Sequence, residues 1–119
     1  MAEEQQQTQP VFTIEKIYVK DLSLEVPNAP QVFLERDTPR VDVQLSTEAK
    51  SLDDGHYEVA LSITTTATLK EKTVFLVEAH QAGIFQIRNL PKESLDLVLS
   101  ITCPNILFPY ARETVSDAI

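Results

Sequence analysis

The hydrophobic period of this chain changes once. From Phe12 to Ile87 apolar residues recur mainly at every second position, and from Pro91 onward at every third or fourth. Side chains alternate between the two faces of a strand, whereas a helix returns to the same face every 3.6 residues. The chain therefore reads as β first and helix second. It predicts an α+β fold, a four-stranded antiparallel Greek-key-like sheet followed by a packed long helix.

The strand signals differ in clarity. In "FTIEKIYVKDLSLEV" (Phe12 to Val26) the even positions hold Phe12, Ile14, Tyr18, Leu22, Leu24 and Val26, interrupted by Lys16 and Lys20. The odd positions hold Glu15, Asp21 and Glu25, but also Ile17 and Val19. Both faces are mixed, as expected for a long strand partly covered on each side. "PNAPQVFLERDTP" follows, and its three prolines predict a long crossover loop. Val32, Phe33 and Leu34 on that loop are expected either to plug the core or to bind something. "RVDVQLS" alternates cleanly, with Val41, Val43 and Leu45 on one face. Asp54-Gly55 marks a turn. "YEVALSITTTATL" places Tyr57, Val59, Leu61, Ile63 and Leu69 opposite a face of Ser and Thr. After the tight "KEK" connection comes "TVFLVEAHQAGIFQI", where Gly83 suggests a bulge.

The helical block starts at Pro91, with Leu95, Val98 and Leu99 at helical spacing. Pro104 starts or restarts a helix, and Pro109 kinks it or is its first residue. Leu107, Ala111, Val115 and Ala118 form one stripe. Residues 1–10, acidic and glutamine-rich, read as a disordered tail without the basic and apolar regions of a secretory signal. Residues 11–119 read as a single domain.

Charge and composition narrow the function. A formal net charge of −8 repels nucleic acid and anionic membrane and attracts a basic partner. No apolar run approaches the length that crosses a membrane. Cys103 is the single cysteine, so no internal disulfide forms, which fits a reducing cytosol. His56, His80 and Cys103 make a poor metal set. With only two glycines there is no phosphate loop, and no nucleophile motif appears.

Two groupings remain. Asp21 and Glu25 share a face of the first strand, Leu76 and Glu78 a face of the fourth. If those faces coincide they form an acidic patch with an apolar member; an ordinary solvated sheet face is the plainer alternative. Phe33, with Val41, Val43 and Leu45, forms an apolar set for which simple core is the plainer alternative.

"IYVKDLSLEVPNAPQVF" (Ile17 to Phe33), "CPNILFPYARE" (Cys103 to Glu113) and "GIFQI" (Gly83 to Ile87) resemble the bacterial SecB export-chaperone family, from about Phe12 to Ile119. The resemblance implies an ATP-independent holdase of the bacterial cytosol, and no enzyme. Such a protein keeps precursor proteins unfolded and passes them to the SecA motor. It implies a homotetramer, a dimer of dimers. Asp21, Glu25, Leu76 and Glu78 match the positions that dock the SecA C-terminal zinc-binding tail, and each residue type is kept. No cofactor is implied for this chain, because the zinc belongs to that tail. Phe33, Val41, Val43 and Leu45 match positions lining the client groove. Family members normally continue past Ile119 with a proline-containing apolar segment and a second helix, so the chain reads as a shortened member. Two rivals stand beside this reading: a SecB-like chaperone dedicated to a toxin–antitoxin pair, and a small enzyme or ligand carrier. The intact docking residues speak against the first. The second lacks a cluster of titratable residues from which to build a pocket.

Overall fold

The computed structural model describes residues 9–119. The expected disordered tail lies, through residue 8, outside the described residues. Gln9 already belongs to the fold, its carbonyl accepting from the Asn89 amide at 2.8 Å.

The strands are β1 (Val11–Glu25), β2 (Arg40–Ser51), β3 (His56–Leu69) and β4 (Lys72–Arg88). A 3-10 turn, Gln31–Leu34, interrupts the crossover loop. Helix α1 (Lys92–Leu97) passes through a π-helical turn, Val98–Thr102, into α2 (Cys103–Ala118). The sheet order is β1-β4-β3-β2, all neighbours antiparallel. Strands β2, β3 and β4 form a meander and β1 returns to lie beside β4, which is the Greek-key arrangement expected.

Register assigns every side chain to a face. The inner face, against α2, carries Val59, Leu61 and Ile63 of β3 with Val77, Ala79 and Phe85 of β4. Leu107, Ala111 and Val115 of α2 are buried against them, with Cys103 at the head of the stripe. Ala118 is only half-buried.

The mixed pattern of β1 has a specific cause. Two bulges interrupt its pairing with β4, between Ile14 and Lys16 and between Val19 and Asp21. Each inserts one residue, Glu15 and then Lys20, and each reverses the alternation. Phe12, Ile14, Ile17, Val19, Leu22 and Leu24 consequently all lie on the inner face. The strand is one-sided, correcting the expectation of two mixed faces. Gly83, in contrast, pairs regularly with Val59 and Ile17. It is glycine for want of room: a Cβ there would meet the Phe85 ring at 2.9 Å and Leu107 at 3.1 Å.

The hairpins rest on positive φ angles. Lys70 and Glu71 (φ 50° and 68°) join β3 to β4 in a two-residue loop, and Asp54 and Gly55 (59° and 75°) turn β2 into β3. Lys70 lies 3.3 Å from both Glu35 and Asp37, tying the crossover loop to this corner. Val32 of that loop is buried, whereas Phe33 and Leu34 stay outside.

Pro104 and Pro109 do not end the helix. Each lacks the N–H that would reach the carbonyl four residues back. The π-helical turn immediately before Pro104 widens the coil where the ring needs room. Pro109 leaves the Asn105 carbonyl without a helical donor, and Asn105 is exposed to water. The helical run Lys92–Ala118 is, by length and composition alone, apolar enough to cross a membrane, which the residue runs read singly did not suggest. In this fold its apolar stripe packs on the sheet.

The molecule is long, 71 × 21 × 17 Å, with a radius of gyration of 19.2 Å. A compact chain of this length would have about 13.5 Å. The difference is exposed sheet.

Gly83→Val should destabilise the protein by about 1–3 kcal/mol through overpacking against Phe85 and Leu107. Urea unfolding followed by circular dichroism measures it, and an unchanged midpoint would contradict the packing account.

Candidate functional site

The outer face, away from α2, carries the acidic set. Asp21 pairs with His80, Ser23 with Glu78, and Glu25 with Leu76. Asp21, Glu25, Leu76 and Glu78 thus share one face of two adjacent strands. The Val19–Asp21 bulge matters for this, because it turns Asp21 and Glu25 outward while Leu22 and Leu24 turn inward.

The cation nearest the patch in sequence is drawn away from it. Lys20, next to Asp21 in sequence, donates instead to Glu58 Oε1 at 2.8 Å. Among the described residues no lysine or arginine comes within 4.0 Å of Asp21, Glu25 or Glu78. His80 Nε2 lies 3.8 Å from Glu78, and its Nδ1 sits 2.7 Å from the Ser62 hydroxyl.

A second polar network adjoins it. The Tyr18 hydroxyl donates to Glu58 Oε2, across the small side chains of Ala60 and Ala82. The hydrogen bonds from Lys20 and then Tyr18 hold the Glu58 carboxyl below its ordinary 4.5. Burial first, and then the Glu58 carboxylate, push the Tyr18 phenol up to about 12. Sequence reasoning missed this network, since nothing in the spacing of residues 18, 20 and 58 announces it.

On the inner face α2 covers β3 and β4 but not the flanking strands. Val41, Val43 and Leu45 of β2 pair with Ala67, Thr65 and Ile63 and form a row whose members are 56%, 54% and 53% exposed. They are not core. Val43 opens into a shallow apolar cleft of about 230 Å³, walled by Ile63 and Thr65 on one side and Phe108, Arg112, Val115 and Ser116 on the other. Phe33 is exposed on the 3-10 turn and does not line this cleft. Beyond the other flank of α2, β1 presents a second apolar band, Phe12, Ile14, Val19, Leu22 and Leu24, each a little under half exposed. The bulges hid this band from a reading of strict alternation.

The described residues include neither a reactive thiol nor a metal-ligand cluster. Cys103 is fully buried, and burial pushes its thiol up to about 11, away from the reactive thiolate. Among the described residues no group of three or more His, Cys, Asp or Glu side chains is placed to hold a metal ion.

Known proteins share both this sequence and this fold. The sequence profile of the family described as preprotein translocase subunit SecB fits residues 5–119. The chain belongs to the SecB family. Protein-export protein SecB of Chromobacterium violaceum is 66% identical over 116 residues, covering 98% of this chain and 77% of that protein. Protein-export protein SecB of Aromatoleum aromaticum is 63% identical, covering 100% of this chain and 76% of that protein. Among solved structures, a Mycobacterium tuberculosis SecB-like chaperone in complex with a ChAD peptide from the HigA1 antitoxin superposes with a TM-score of 0.74 at 19% identity. The match covers 90% of this chain and 80% of that one. At that identity the likeness shows the fold. The family is one of protein-export chaperones, not of enzymes.

The Glu58 network predicts a pH dependence. A carboxyl with a lowered folded pKa contributes stability that is present above 4.5 and lost as pH falls through the lowered value. Tyr18, raised, contributes stability that is full below pH 10 and lost as pH climbs through about 12. Glu58→Gln should therefore flatten the acid limb of the stability profile, and Tyr18→Phe the alkaline limb. Urea midpoints across pH measure both, and limbs as steep as wild type would contradict the network.

Proposed function

We propose that this chain is an ATP-independent holdase that binds unfolded precursor proteins in the bacterial cytosol and delivers them to the SecA motor. The observation that carries the reading is the segregation of the sheet's two faces. Captured chains vary in sequence, so they need exposed apolar area without strict shape, and the row Val41, Val43 and Leu45 beside the α2 cleft offers it. Phe33, exposed on the crossover loop, adds an apolar contact outside the cleft.

The acidic set suits the SecA tail. A basic, zinc-bearing tail gains charge-assisted hydrogen bonds and faster encounter from Asp21, Glu25 and Glu78, with Leu76 as an apolar contact. The zinc stays with the tail. Relatives at 58–66% identity that are named as protein-export SecB favour this role over that of a chaperone dedicated to a toxin–antitoxin pair. Assembly as a homotetramer, a dimer of dimers, is supported by the elongated protomer and by the apolar band on β1, which water would otherwise cover.

Two variants separate the faces. Asp21→Ala or Glu78→Lys should abolish binding of the SecA tail in calorimetry while the solution mass stays that of wild type; unchanged affinity would sink the docking assignment. Val43→Glu should weaken protection of an unfolded client in a light-scattering assay and leave tail binding intact, whereas full protection would count against the groove assignment.

A further inference from the structure

We propose that Gln81 is a positioning residue of the docking face, acting from the opposite side of the sheet by fixing the β1 bulge that turns Asp21 and Glu25 outward. The inference rests on the reading of that face given above.

The bulge sets two β1 residues, Val19 and Lys20, against Gln81 alone. Without it the register beyond Val19 moves by one residue. Lys20 would then oppose His80, and Asp21 would oppose Ala79 on the inner face. Leu24 would take the position of Glu25 opposite Leu76. A slip of one residue moves every later side chain to the wrong face. The acidic set therefore exists only while this bulge does.

The apolar pattern holds the bulge weakly. Leu22 and Leu24 gain from facing inward, yet they remain 43% and 44% exposed beyond the edge of α2. Gln81 is different. It is 3% exposed in an apolar layer, with both ends of its amide engaged. Its Nε2 donates to the carbonyl of Tyr18, just before the bulge, at 3.2 Å. Its Oε1 lies 2.9 Å from the Thr114 hydroxyl of α2, whose proton is shared with the Tyr110 carbonyl. A buried amide is costly unless its groups are bonded, so its bonds are directional where an apolar contact is not. On the outer side, the bond from Lys20 to Glu58 accommodates the inserted residue. The bulge is thus gripped from both faces, and the inner grip ties it to α2.

Gln81→Met removes both bonds with little change in volume. In the full assembly, amide exchange at Leu22 to Glu25 should quicken and the backbone contacts between Ser23 and Glu78 seen by NMR should weaken. Affinity for the SecA tail should fall about five- to tenfold, the loss of about one net hydrogen bond. Protection of an unfolded client should stay near wild type, a split that general loosening of the fold would not produce. Thr114→Val, which leaves the Gln81 donor in place, should act in the same direction more weakly, and it serves as the test if Gln81→Met does not fold. Wild-type exchange and Ser23–Glu78 contacts in the folded variant would overturn the positioning role. If instead the register loosens while neither this variant nor Asp21→Ala changes tail affinity, positioning stands and the docking assignment fails.

Discussion

The packing of α2 on the two middle strands is the contact on which the rest depends. Leu107 enters the gap that Gly83 leaves beside Phe85, and Ala111 and Val115 continue the contact along β3. A helix is about 10 Å across with its side chains, whereas four strands about 4.8 Å apart are wider than that. One helix therefore covers two strands of four. The inner faces of β1 and β2 stay open on either side, and their exposed valines, leucines and isoleucines follow from that width. The exposed apolar surface comes directly from a helix too narrow for its sheet.

The outer face obeys a different constraint. Among the described residues no second layer covers it, and β3 supplies serine and threonine there while β1 and β4 supply carboxylates. What makes the face a patch is the diversion of its neighbouring cation. Lys20 lies beside Asp21 in sequence but bonds to Glu58, which leaves Asp21, Glu25 and Glu78 with no lysine or arginine partner among the described residues. Glu58 in turn holds Tyr18, so the network that joins β1 to β3 also draws Lys20 away from the adjoining carboxylates.

Legibility followed how far each signal reaches along the chain. Strand β3 and the first half of β2 read clearly because each keeps one alternation, whereas β2 runs on to Ser51, past the apolar positions that marked it. The α2 stripe also read clearly, since buried residues four apart need no tertiary information. Strand β1 did not. Its two bulges shift the alternation after Ile14 and again after Val19, and a bulge shows only when the partner strand is in place. Gly83 attracted the bulge assignment through its backbone freedom, although what required it was a ring and a leucine lying close by. The four acidic-patch residues were grouped from strand alternation, matched to docking positions by the resemblance, and do share a face. The Tyr18–Lys20–Glu58 network and the buried amide of Gln81 join residues far apart in sequence, and no local pattern carries such pairs.

The sequence by itself determined the order of elements, the Greek-key topology, the helix stripe, the acidic balance and the family. These depend on periodicity, turn residues and motifs, which are properties of neighbouring residues. Contacts in three dimensions decided which face each β1 side chain takes, that Val41, Val43 and Leu45 are exposed surface and not core, and that Lys20 bonds to Glu58 and not to Asp21. Those outcomes depend on register and on the width of one helix against four strands. Both are set by contacts between residues distant in the chain, where a shift of a single position exchanges inside for outside.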